Sequence, residues 1–283
     1  MSEKTHQGGP PTTFSMPMYA GWVPQCIRPW IYVLMAFCFQ FSNGMYLGAM
    51  NNIIGERGIM REDVLMCLYA TLTGMAFYFP LLFRMKFRFS NKLLLMSAAS
   101  VILVCNLLTM LPLPLPITWA LCVVCGMAKI QGTFECMSSI QLWMTPKRDF
   151  GVFFPLLHLV LLTSIEYSAY LAAWFAYEAH WQLMHWFIIA LMVGVLLVQM
   201  VFTHHFHAMP QIVPLRGIDW LGALLWIVFT LQMVYLLNYG DWLDWWNSST
   251  FRLLCGTSLL TLAVCLQRMW HHPQPFFEPA MWN

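Results

Sequence analysis

Residues 181–202 read WQLMHWFIIALMVGVLLVQMVF, a run without one Asp, Glu, Lys or Arg. A helix needs about 20 mostly apolar residues to cross the hydrocarbon of a bilayer. In lipid no water is at hand for backbone N–H and C=O groups, so a spanning segment must bond its own. The run therefore reads as a transmembrane helix, and the chain on either side repeats the pattern.

Composition agrees. Of 283 residues 60% are hydrophobic and 9% charged, with a mean hydropathy of +0.64. Soluble domains carry about 25% charged residues. Disordered chains are poor in apolar residues, and a net charge of +2 spread along the chain lacks the basic face of a nucleic-acid binder. The expectation is an all-α polytopic membrane protein. About eight candidate spans cover 30–54, 64–83, 93–111, 117–144, 150–177, 181–202, 220–239 and 251–267. Polar or helix-breaking clusters separate them, among them GERGIMRED, RMKFRFSNK, PLPLP, TPKRD and HHFHAMPQIVPLRG. Residues 1–29 begin MSEKTHQGGPPTT and read as a polar cytoplasmic tail, with no signal-peptide core.

Lys and Arg in the connections set the orientation, because cytoplasmic loops carry the excess. With the N-terminus cytoplasmic, that side receives Lys4, Arg28, Arg84, Lys86, Arg88, Lys92, Lys147, Arg148, Arg216 and Arg268. The other side receives Arg57, Arg61 and Arg252, and the last of the 14 basic residues, Lys129, lies within a span. The expected setting is a plasma (bacterial inner) membrane, crossed many times, with both termini inside. Eight of the nine cysteines sit in apolar runs, so Cys122 and Cys125 in WALCVVCGM read as small helix residues.

Four segments carry a resemblance. RMKFRFSNK is similar to the loop motif G-x-x-x-D-R-x-G-R-K, with Arg88 and Lys92 keeping the basic pattern and Phe87 in the acid's place. KIQGTFE is similar to R-x-x-Q-G, with Gln131 and Gly132 in position and Lys129 one place late. HWQLMHWFI resembles W-R-W-x-F through Trp181 and Trp186. A seventh-span pattern is matched by Asp219, Gly222, Gly240, Asp244, Trp245 and Trp246. By their order, the chain from about Arg28 onward resembles the fourteen-helix drug/proton antiporter branch of the major facilitator superfamily.

The resemblance implies a six-helix bundle over 30–207 and two linking helices over 208–270. The stretch 271–283 would then lead, on the cytoplasmic side, to a C-terminal bundle of the same transporter. An eight-span protein that dimerises is the alternative. The resemblance also implies secondary active transport by alternating access, as proton-coupled efflux of small amphipathic molecules. It calls for no enzyme chemistry, cofactor or metal. The chain departs from the branch at two places. Ser42 and Asn43 stand where the first-span motif has its acid, and SIEYSAYLAAW lacks the Gly-Pro motif of the fifth span.

An ionisable residue in mid-membrane costs about 3 kcal/mol or more, which makes it a functional candidate. Lys129, Glu135 and Glu166 are such residues. Gln131, Glu135 and Ser138 fall at i, i+4 and i+7, one face of a helix, and Thr163, Glu166 and Tyr170 share a face likewise. Lining a wet cavity, a desolvated carboxylate there can take up and release a proton near neutral pH. The plain alternative is that Lys129 pairs with Glu135 or Glu166 across helices and locks the bundle. A non-transporting structural or receptor-like protein, the other functional reading, needs no buried charges, so these three residues count against it. Gln40 and Asn43 on the first span are candidates for substrate contact or for interhelical hydrogen bonds. Gly44 and Gly48 form a G-x-x-x-G that allows a neighbouring helix to come close. His204, His205 and His207, with no acidic partner nearby, read as interfacial anchors.

Overall fold

A computed structural model of the protein describes residues 16–41, 44–144, 150–205 and 218–277. In chain order its helices are α1 (Arg28–Gln40), α2 (Met45–Gly48), α3 (Met50–Arg57), α4 (Arg61–Arg88) and α5 (Asn91–Thr109). There follow α6 (Leu115–Met144), α7 (Phe150–Glu178), α8 (Leu183–Phe202), α9 (Trp220–Asn238) and α10 (Ser249–His271). Each of α4 to α10 holds a stretch long and apolar enough to cross a membrane. The protein is an all-α polytopic membrane protein.

Local signals start and stop these helices. The side chains of Ser90, Asp219 and Ser248 accept from the N–H groups of Leu93, Gly222 and Phe251, which the first turn would otherwise leave unpaired. Gly58, at φ 61°, closes α3 in the left-handed region open to glycine. The Asp63 carboxylate accepts from Met60 N–H at 2.9 Å at the start of α4.

Two sequence expectations change. The continuous span expected over 30–54 is instead three pieces, α1, α2 and α3. Glycines of this segment lie against α7. A Cβ on Gly48 would lie 2.0 Å from Ala169 O, and one on Gly44 2.3 Å from Ile165 O. At the break Gly44 N–H donates to Ser168 Oγ at 2.8 Å, so an opened membrane helix has its freed group satisfied by a neighbour. The three pieces together still run from one end of the bundle to the other. Arg28 sits beside the Tyr19–Thr203 pairing at one end, and Arg57 donates to Thr109 O at the other.

The tail expected through residue 29 is folded from Met16 onward. Met16, Met18, Tyr19 and Val23 are buried, and Ala20 N–H donates to Phe202 O at 2.8 Å. Arg28 holds this segment down. Its guanidinium donates to Met16 O at 3.0 Å and to Val23 O at 2.8 and 3.0 Å. The polar start of the tail hid a short apolar stretch, MPMYAGWV, of which Met16, Met18, Tyr19, Ala20 and Val23 are buried at the end of the bundle.

α6 is the central helix, with half of its most apolar window buried, 50% against 17% for α10. It packs on α1, α4 and α5, while α8 packs on α5 and α9 on α4 and α10. The approach of α4 to α6 is close because glycine allows it. A Cβ on Gly74 would lie 2.0 Å from Val123 O, and one on Gly126 2.0 Å from Thr71 O. Large apolar side chains such as Leu162, Leu197, Leu237 and Leu260 point outward, as suits a lipid solvent.

Candidate functional site

The polar stripe on α6 is buried where helix periodicity placed it, and it is the centre of the site. Glu135 is 2% exposed and Gln131 4%. Glu135 Oε1 accepts from Asn91 Nδ2 at 2.7 Å and faces Lys86 Nζ at 3.4 Å. Lys86 also donates to Ser138 Oγ, and Asn91 in turn accepts from Tyr32 OH at 2.9 Å. Four helices thus meet on one carboxylate: α1 through Tyr32, α4 through Lys86, α5 through Asn91 and α6 itself.

Satisfaction is one-sided. Glu135 Oε2 and both amide atoms of Gln131 are buried without a hydrogen-bond partner among the described residues. They lie one turn apart on the same face of α6, and together offer two acceptors and a donor to a water or ligand. Next to them Gln40 Nε2 donates to Thr133 Oγ1 at 2.9 Å, which places Gln40 in an α1–α6 contact.

Sequence reasoning missed Lys86, Asn91 and Tyr32. Lys86 counted only as a loop charge, because the second span was expected to end at residue 83. The helix runs on to Arg88 and turns Lys86 inward. No spacing rule links it to Glu135, 49 residues away.

Lys129 takes a different direction. It is 3% exposed and engaged within the fold. With Tyr46, Thr71, Asn106, Thr109 and Cys122 it lines a cavity of about 20 Å³, room for one water. A neighbouring cavity of the same size is lined by Tyr46, Thr109, Arg57 and His185. There His185 Nδ1 lies 3.1 Å from Asn106 Oδ1, and the Arg57 guanidinium stands 5.0 Å from the Trp181 ring. Trp181 and Gln182 both donate to Glu56, tying the start of α8 to α3.

Glu166 and Tyr170 do not join this interior. α7 packs through Ser164, Ser168 and Ala172, each fully buried. Its opposite face, with Thr163, Glu166 and Tyr170, is exposed. Only 22% of the most apolar α7 window is buried. The salt bridges among the described residues are Lys86–Glu135 and Arg268–Asp219, so neither engages Glu166. Asn43 lies outside the described residues.

Of the basic loop, Arg88 is exposed, and Lys92 Nζ donates to Thr203 O at 2.8 Å, binding the end of α8. His205 Nδ1 lies 3.0 Å from Ser90 Oγ, while His207 is outside the described residues. No group of three or more His, Cys, Asp or Glu suited to a metal occurs among the described residues.

Asp219 serves as a clamp. Its Oδ1 accepts from Gly222 N–H at 2.8 Å and from Arg268 Nε at 2.8 Å, joining the start of α9 to the end of α10. Burial pushes the Asp219 carboxyl up. The hydrogen bonds from Arg268 and Gly222 and the charges of Arg268 and His272 outweigh burial and hold it below the ordinary 3.8. A carboxyl lowered on folding stabilises fully above its ordinary value and loses that contribution as pH falls through the lowered one. The expected loss is about 1 kcal/mol, or about 2–4 °C in Tm. Acid titration of Tm in detergent should show this step in the wild type and not in Asp219→Asn; equal steps in both would assign the clamp no role.

No family model matches the chain, and no curated protein matches it.

Proposed function

We propose that the protein is a secondary active transporter of the major facilitator type, exporting small amphipathic molecules in exchange for protons by alternating access. The observation that carries this is Glu166, a carboxylate on the exposed face of an apolar span. Left in hydrocarbon, such a group costs about 3 kcal/mol or more. Its face therefore belongs against water or protein, and the wall of a wet cavity provides both. Thr163 and Tyr170 beside it supply hydroxyls and an aromatic surface suited to amphipathic substrates. A second bundle would form the opposite wall, since such transporters bind substrate between two bundles that rock against each other. Buried Glu135, with its free oxygen and the Gln131 amide, is the second proton or substrate site.

Reconstitution tests the activity. Proteoliposomes with an imposed pH gradient should move an amphipathic cationic dye, and a protonophore should stop the movement. Dye flux equal to that of empty liposomes, with and without the gradient, would sink the proposal.

The basic end, carrying Arg28, Lys86, Arg88, Lys92 and Arg268, is the cytoplasmic one in this proposal. Cys26 is an exposed native thiol at that end. A membrane-impermeant thiol reagent applied to intact cells should leave Cys26 unmodified and modify Leu111→Cys at the other end. The reverse pattern would invert the topology.

A further inference from the structure

At the basic end of the molecule, the start of α9 and the end of α10 flank an open groove of about 340 Å³. Its two halves differ in chemistry. Leu221, Leu225 and Val264 line one half, and Gln267, Arg268, His271 and His272 line the other. Trp220 and Trp270 stand exposed at the same end of the two helices. Exposed tryptophans on membrane helices mark the level of the lipid headgroups. The groove therefore runs from headgroup depth into the acyl region.

The polar half presents a cation. Arg268 is paired with Asp219, but the two are not equally reachable: 29% of the Arg268 side chain is exposed against 1% of the Asp219 side chain. Asp219 takes the Nε and Nη2 side of the guanidinium, at 2.8 Å each. Nη1 makes no hydrogen bond among the described residues. The pair thus hides its anion and turns N–H donors outward.

His272 adds a donor. Its Nδ1 accepts from Gln274 N–H at 3.2 Å, which leaves the ring proton on Nε2. The carbonyls ending α10 do not oppose an anion. Gln267 O accepts from His271 Nδ1 at 2.8 Å, and Arg268 O accepts from His272 N–H at 2.9 Å. Among the described residues no Asp or Glu lines the groove.

We propose that this groove binds an anionic phospholipid. The phosphate accepts charge-assisted hydrogen bonds from Arg268 and a further bond from His272. One acyl chain lies along Leu221, Leu225 and Val264. Basic pockets between membrane helices recognise anionic headgroups in this way. A free phosphate would leave the apolar half uncovered. A choline lipid brings with its phosphate a cation that no lining carboxylate matches and that Arg268 repels. The site shares no lining residue with the Glu135 network or with the exposed face of α7. It rests neither on the transport proposal nor on which side of the membrane this end faces.

Native mass spectrometry of the full chain, released from detergent with phosphatidylglycerol or phosphatidylcholine of the same acyl chains, reads the first bound lipid. Phosphatidylglycerol should bind about tenfold more tightly, the effect of about one hydrogen bond to a charged group. Gln267→Glu places an anion in the lining and should remove that preference. His272→Phe keeps a ring, loses the donor, and should lessen the preference about threefold. Gln267 is exposed, so Gln267→Glu should keep the wild-type Tm measured without added lipid. Arg88→Gln removes an exposed charge at the same end outside the groove and should leave the preference intact. Excess inorganic phosphate at matched ionic strength should not displace the lipid. Equal affinity for the two lipids, a preference that survives Gln267→Glu or is lost equally in Arg88→Gln, or displacement by inorganic phosphate would overturn the proposal.

Discussion

Glu166→Gln should reduce pH-driven transport in proteoliposomes to the level of empty liposomes while the protein stays folded. The substitution keeps the shape of the side chain and removes its ability to carry a proton. The fold does not depend on the carboxylate. α7 is held by Ser164, Ser168 and Ala172 on its other face, and Glu166 is in neither salt bridge among the described residues. Surface substitutions away from packed or paired groups change stability by about 0.5 kcal/mol or less. The test therefore reads two quantities, transport and Tm, and expects only the first to move. Pair-locking would give the opposite pattern, with a lowered Tm. Undiminished pH-driven transport in Glu166→Gln would remove this residue from the coupling step and shift it to Glu135.

The largest effect on stability is expected at Lys86. Glu135 is almost wholly buried, and one of its oxygens depends on Lys86 and Asn91 while the other has no partner among the described residues. Removing one partner of a buried pair leaves an uncompensated charge and costs about 3–5 kcal/mol. Lys86→Met should therefore be strongly destabilising in detergent unfolding. Adding Glu135→Gln removes the stranded charge, and the double variant should regain most of the loss, because a buried pair is worth little net over neutral groups of similar size. Asn91 can still donate to the new amide oxygen. If the two substitutions simply add, Lys86 and Glu135 are not energetically coupled, and the contact is incidental.

Much of the architecture was legible in the chain because membrane helices are locally determined. Each span bonds its own backbone, so apolar length and flanking breakers mark it without reference to neighbours. The seven long apolar helices and the alignment of Gln131, Glu135 and Ser138 on one face are of this kind. They follow from composition and from the turn of the α-helix.

What a helical face meets is not local, and there the tertiary structure decided. The sequence offered Lys129 as the cation for Glu135 or Glu166; the fold supplies Lys86 to Glu135, because glycines at 74 and 126 let α4 and α6 come together. Thr163, Glu166 and Tyr170 do share a face, but only the seating of α7 on Ser164 and Ser168 turns that face outward. The first span is likewise in three pieces, with Gly44 and Gly48 set against α7 and Gly44 N–H bonded to Ser168 Oγ. Rotation of a helix about its axis depends on the partner it packs against, and apolar runs in lipid leave that rotation open until small residues and buried polar pairs fix it.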